Sequence, residues 1–213
     1  GAHGRISGAV AQIHPPATLA SSRCYDVQVD ATAIDDTGGN SVAGVNDTTT
    51  LSFTAADSAG PSISSSVPAD DATGVAVDAN IVLTFDENVV VGSGNITLKT
   101  SSDNSTLQAM PGGGGSVSGS GAVVTINPTA NLASPEGYYI QIAATAFDDA
   151  SGNSYAGISD TTSLSFTAAD VLGPTLSSSS PADNATGVAG SANIVLTFNE
   201  NVVLGSGNVS LYK

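Results

Sequence analysis

A long, gapless internal repeat constrains this chain more than any other feature. Asp57-Ser-Ala-Gly60-Pro61 recurs as Asp170-Val-Leu-Gly173-Pro174, an offset of 113 residues. At that offset residues 57–100 and 170–213 share 30 identities in 44 positions. Residues 8–57 and 121–170 share 31 in 50. A unit of this length exceeds a small helical or propeller repeat and has the size of a β-sandwich domain. Unit and chain are out of phase. Residues 57–169 make one complete repeat, residues 1–56 read as the C-terminal half of a preceding one, and residues 170–213 as the N-terminal half of the next.

The complete unit alternates with period two between clusters of Gly, Pro, Asn and Asp, the signature of short strands. Asn80–Phe85 puts Ile81, Leu83 and Phe85 on one face. Ala122–Ile126 turns Val124 and Ile126 inward, and Thr162–Phe166 does the same with Leu164 and Phe166. From Tyr138 onward, Tyr138, Ile140 and Ile142 point inward while Tyr139, Gln141 and Thr145 point to solvent. The first copy supports this register, since Tyr25, Val27 and Val29 alternate there with Asp26, Gln28 and Asp30. No stretch is a convincing amphipathic helix. The expectation is an all-β chain of tandem Ig-like antiparallel β-sandwiches, about seven strands in each. Leu132 ahead of Tyr138, and Leu19 ahead of Tyr25, have the spacing of a tyrosine corner, whose phenol bonds back to the preceding loop.

Charge narrows the function classes. Four basic residues stand against nineteen acidic ones, a net charge of -15. Such a chain lacks the basic footprint that nucleic acids or an anionic membrane require. Its 40% apolar content separates it from charged, disordered chains. No apolar run is long enough to span a bilayer. The one cysteine, Cys24, excludes a disulfide framework and a cysteine zinc site, and Gly137 replaces it in the second copy. The chain opens on Gly rather than Met and reads as an interior or processed piece of a longer protein.

The order of motifs resembles a known family. Ser66-Val-Pro68-Ala-Asp70-Asp-Ala-Thr-Gly74-Val75 opens the unit, followed by Asn80-Ile-Val-Leu-Thr-Phe85-Asp86-Glu87-Asn-Val89. Then come Val124-Thr-Ile126-Asn-Pro128, the Leu132/Tyr138 pair, and Asp148-Asp149-Ala-Ser-Gly152-Asn153. This looks like the bacterial Ig-like domain of S-layer proteins and large surface adhesins, of the SbsA-like kind. The resemblance covers the middle unit and, in halves, both flanks. It implies a non-catalytic, extracellular spacer at the bacterial cell surface, in tandem arrays, sometimes with calcium at loops or junctions.

The residues themselves offer no catalytic constellation. His3 and His14 lie in the first partial copy, and Asn127 replaces His14 in the second. No nucleophile elbow, phosphate loop or dinucleotide fingerprint occurs, and Gly112–Gly115 reads as a flexible loop tip. Calcium is the metal whose donors are present: it takes six to eight oxygens from Asp, Glu, Asn and carbonyls. Asp148, Asp149 and Asn153 cluster in one loop with Asp160 just beyond; Asp35, Asp36, Asn40 and Asp47 repeat the pattern; Asp86 and Glu87 close a core strand. Against an ion stands the Asx turn, in which a carboxylate simply accepts from amides two residues on. The junction residues Asp57 and Asp170 are weaker candidates.

Two functions of different class follow. One is a structural segment of a surface protein or filament. The other is a calcium-dependent adhesin whose loops grip a glycan or protein, which would want exposed aromatics. Tyr139 and Tyr155 are the aromatics without a core position in this register. For partners, the two half-units lack between them only the equivalents of 101–113. Each is therefore expected to meet its complement head to tail, either in a neighbouring copy of the chain or in the adjacent repeat of one long array.

Overall fold

The computed structural model describes residues 3–212. Ahead of the middle unit run β1 (His3–Ser7), β2 (Val10–His14), β3 (Cys24–Asp26) and β4 (Ser52–Thr54). The middle unit holds β5 (Ile63–Val67), β6 (Ala72–Val75), β7 (Ile81–Phe85), β8 (Val90–Val91), β9 (Asn95–Thr100) and β10 (Thr106–Pro111). It continues with β11 (Val117–Ser120), β12 (Val123–Ile126), β13 (Gly137–Ile142), β14 (Phe147–Asp148) and β15 (Ser165–Ala168). Beyond it lie β16 (Leu176–Ser180) and β17 (Val195–Phe198). There is no helix among the described residues, and the all-β Ig-like sandwich is what the chain adopts.

Two sheets face each other in the middle unit, one ordered β11-β12-β7-β5 and the other β10-β9-β13-β15-β6. Every residue assigned an inward position is buried. Leu83 and Val124 are fully enclosed, and Ile81, Phe85, Ile126, Tyr138, Ile140, Ile142, Leu164 and Phe166 are nearly so. Val124 lies opposite Leu83 and Ile126 opposite Ile81, so one face of the pair is continuously apolar. The second sheet answers with Ile140 opposite Leu98 and Ile142 opposite Ile96.

Three details differ from the sequence-based expectation. The two sheets hold nine strands rather than about seven. One pairing, β15 with β6, is parallel: β6 crosses over from the other sheet instead of returning through a hairpin. The Gly112–Gly115 run is more than a loose tip. Gly112 is buried and donates to the Gly94 carbonyl at 3.0 Å, and a Cβ there would sit 2.2 Å from the Gly92 carbonyl oxygen. Only glycine allows that approach.

The solvent face of β13 also departs from expectation at one position. Gln141 is half-buried and Thr145 exposed, but Tyr139 is buried. The β9–β10 connection reaches over it, and the Tyr139 phenol donates to Asn104 Oδ1 at 3.1 Å. In the first copy Asp26 and Asp30 are exposed and Tyr25, Val27 and Val29 half-buried, so the register itself holds.

Candidate functional site

The acidic loops fold before they converge on anything. Asp149 Oδ1 accepts from the Ser151 and Asn153 amides, both at 2.8 Å, and its Oδ2 from Asn153 Nδ2 at 2.7 Å. Asp36 does the same in the first copy with Gly38 N, Asn40 N and Asn40 Nδ2, all at 2.8 Å. The Asp-Asp-x-x-Gly-Asn signature is thus an Asx turn closed by its own Asn. These bonds favour the charged carboxylate and hold Asp149 and Asp36 below the ordinary range, the Asn side-chain bond contributing most.

The remaining candidates are engaged in the same way. Asp148 accepts from the Ser154 hydroxyl and Asp35 from the Ser41 hydroxyl, each across an isolated bridge. Asp160 accepts from the Thr162 and Ser163 amides and from the Ser163 hydroxyl. Asp47 repeats this with Thr49 and Thr50. Both are held far below the usual carboxylate range, chiefly by the hydroxyl bond. Asp86 binds the Ser62 amide and hydroxyl, both at 2.7 Å, fastening the start of β5 to the end of β7. In the next copy Asn199 keeps that role, accepting from the Thr175 amide at 2.6 Å.

Among the described residues, one group of three carboxylates does converge: Asp57, Glu87 and Asp149, with oxygens within 4.8 Å of one another. Asp149 is only 4% exposed. Burial pushes the Glu87 carboxyl upward, and the negative charges of Asp149, Asp57 and Asp86 add to the rise. Two of the ten candidate residues therefore meet, and their third member comes from the junction. The folding of the linker against the middle unit brings Asp57 in, which spacing along the chain does not show.

The junctions have a geometry of their own. Asp57 Oδ1 accepts from the Ser21 hydroxyl at 2.7 Å, and the Ser58 amide donates to the same hydroxyl oxygen at 2.9 Å. One repeat later Asp170 accepts from the Ser134 hydroxyl at 3.3 Å, and the Val171 amide donates to Ser134 Oγ at 2.8 Å. The linker is thus clasped to the unit before it, in the same way twice. Ser21 and Ser134 carried no role in the sequence reading. Their recurrence at the same offset as Asp57 and Asp170 is the signal that marks them.

The loops that an adhesin would use carry little. Tyr155 is 8% exposed and packs edge-on against Phe85, with ring centroids 5.6 Å apart. With Tyr139 also buried, neither aromatic left outside the core by sequence is free to meet a ligand. No helix among the described residues is long and apolar enough to cross a membrane.

Sandwich and repeated junction together define an Ig-like module built for tandem arrangement. A model of the bacterial Ig-like domain family matches residues 57–168 and again residues 170–212. The chain belongs to that family, whose domains occur in bacterial surface proteins and are generally non-catalytic. No curated protein matches it. Among solved structures it is similar to CopC from Methylosinus trichosporium OB3b, with 10% sequence identity over 53% of this chain and 97% of that one, at a TM-score of 0.38.

Proposed function

We propose that the chain is a non-catalytic structural segment of an extracellular bacterial surface protein of the S-layer or large-adhesin class, in which successive sandwiches set length. The complete repeat is residues 57–169, flanked by halves of its neighbours at 1–56 and 170–213. The observation that carries this reading is the recurrent clasp. A linker pinned by the same Ser–Asp pair at two junctions fixes the angle between units, as a spacer needs and an independent binding module does not. Surface exposure is checked by protease treatment of intact cells that carry the full-length gene product. Loss of the repeat epitope is expected; an epitope protected until lysis contradicts the reading.

A calcium-dependent adhesin is the second reading, favoured by the convergence of Asp57, Glu87 and Asp149. The donor set fits: three carboxylates are hard oxygen ligands suited to calcium. Their position beside the linker would let an ion stiffen the junction, so calcium also suits the structural reading. The adhesin itself predicts specific binding on a glycan array, which the spacer does not.

A further inference from the structure

We infer that the two flanks of this chain are complementary faces of one composite sandwich, completed when the C-terminal flank of one copy docks on the N-terminal flank of another. The inference deepens the structural reading by naming the partner and the strand register, and rests on it only in taking units to run end to end.

The flanks repeat the middle unit's sequence without its burial. Ile126 is enclosed, but its equivalent Ile13 is 51% exposed. Phe166 is 4% exposed and its equivalent Phe53 45%; Leu83 is 0% exposed and Leu196 40%. At the far end Ile96 and Leu98 are fully buried, whereas Val209 and Leu211 stand almost wholly in water. Residues 208–212 form no strand, although their counterparts make up most of β9. The sequence is nearly the same, and what differs is the neighbour. In the middle unit β9 lies between β10 and β13, and no such partners reach 208–212.

Each flank holds what the other lacks. β2 corresponds to β12, whose partner in the middle unit is β7; the equivalent of β7 is β17, in the other flank. Transferring the observed register pairs Ile13 with Ile194, Gln12 with Val195 and Ala11 with Leu196. The β13–β9 register likewise sets Val27 opposite Leu211 and Val29 opposite Val209. The contact is thus the one already formed inside this chain between β12 and β7 and between β13 and β9. Its apolar side chains alone amount to on the order of 1,000 Å² of surface, the size a specific interface needs. The composite lacks a counterpart of β10, so its β9-like strand becomes the sheet edge. Because the contact joins opposite ends of two copies, it does not close on itself and extends as a filament.

The test is cysteine pairing in a Cys24→Ser background. Gln12→Cys and Val195→Cys occupy positions whose middle-unit equivalents, Thr125 and Val82, are direct cross-strand partners. Such partners lie within disulfide reach. Oxidising an equimolar mixture of the two single variants is expected to give one disulfide-linked heterodimer. The double variant is expected to give a ladder of multimers, and Ile13→Asp to weaken association more than about tenfold. Equal cross-linking of Gln12→Cys to Val203→Cys would mean random collision and overturn the inference. So would a disulfide confined within single chains, or a mass fixed at 20.8 kDa at high concentration. None of these outcomes touches the surface-exposure test, so the two readings fail separately.

Discussion

Tyr138 is the residue whose role was most legible from spacing alone. Its hydroxyl accepts from the Ala133 amide at 2.7 Å, and Tyr25 does the same with Ala20 at 2.7 Å in the first copy. Tyr138→Phe removes that bond and is expected to cost about 1 kcal/mol of unfolding free energy, read from urea denaturation. Glu87 supplies a pH test. Its folded carboxyl is raised, so its stabilising contribution is full below the ordinary carboxylate value and is lost as pH rises through the folded one. Glu87→Gln should therefore raise the melting temperature at neutral pH in chelator. In millimolar calcium the natural protein should gain stability with ion concentration, and Glu87→Gln should not. An equal gain in both would remove the Asp57/Glu87/Asp149 trio as the ion's ligands. Asp160 has the opposite sign: its lowered carboxyl contributes above the ordinary value and loses that contribution as pH falls through the depressed one.

At the scale of the elements, identical strands meet different fates. Leu83 in β7 is fully enclosed between two sheets, while Leu196 in β17 pairs only with β16 and keeps its side chain in water. Leu83→Ala is expected to destabilise the middle unit by roughly 2–5 kcal/mol. Leu196→Ala should leave that unit's melting transition unchanged, as calorimetry would show. Period-two alternation found the inward face of every core strand, because a one-residue slip would have put Asp26 and Asp30 in the core. It missed β10 and the burial of Tyr139, since both depend on a hairpin folding back over the sheet. The opening motif shows the same limit. Asp70 accepts from the Ser165 amide at 2.9 Å, and Asp71 from the Ser165 hydroxyl at 2.9 Å, tying the start of the unit to its last strand. Local spacing marks a turn at Asp70; the partner ninety-five residues away emerges only with the fold. The candidate site was legible to the same degree: Glu87 and Asp149 stood out as acids, but Asp57 reaches them through the packing of the linker.

For the whole molecule, repetition itself carries the account. A net charge of -15 on a chain of short strands keeps neighbouring arrays apart in water, while linkers clasped at Ser21 and Ser134 keep successive units in register. The central claim is that these junctions are rigid enough to set length. Small-angle scattering from tandem proteins of one, two and four complete repeats tests it most directly. The account predicts a maximum dimension that grows by the same increment with each added repeat, and a smaller increment once every clasp serine is changed to alanine. Growth that falls progressively below linear in the unaltered repeats, as for domains on a flexible string, would contradict it.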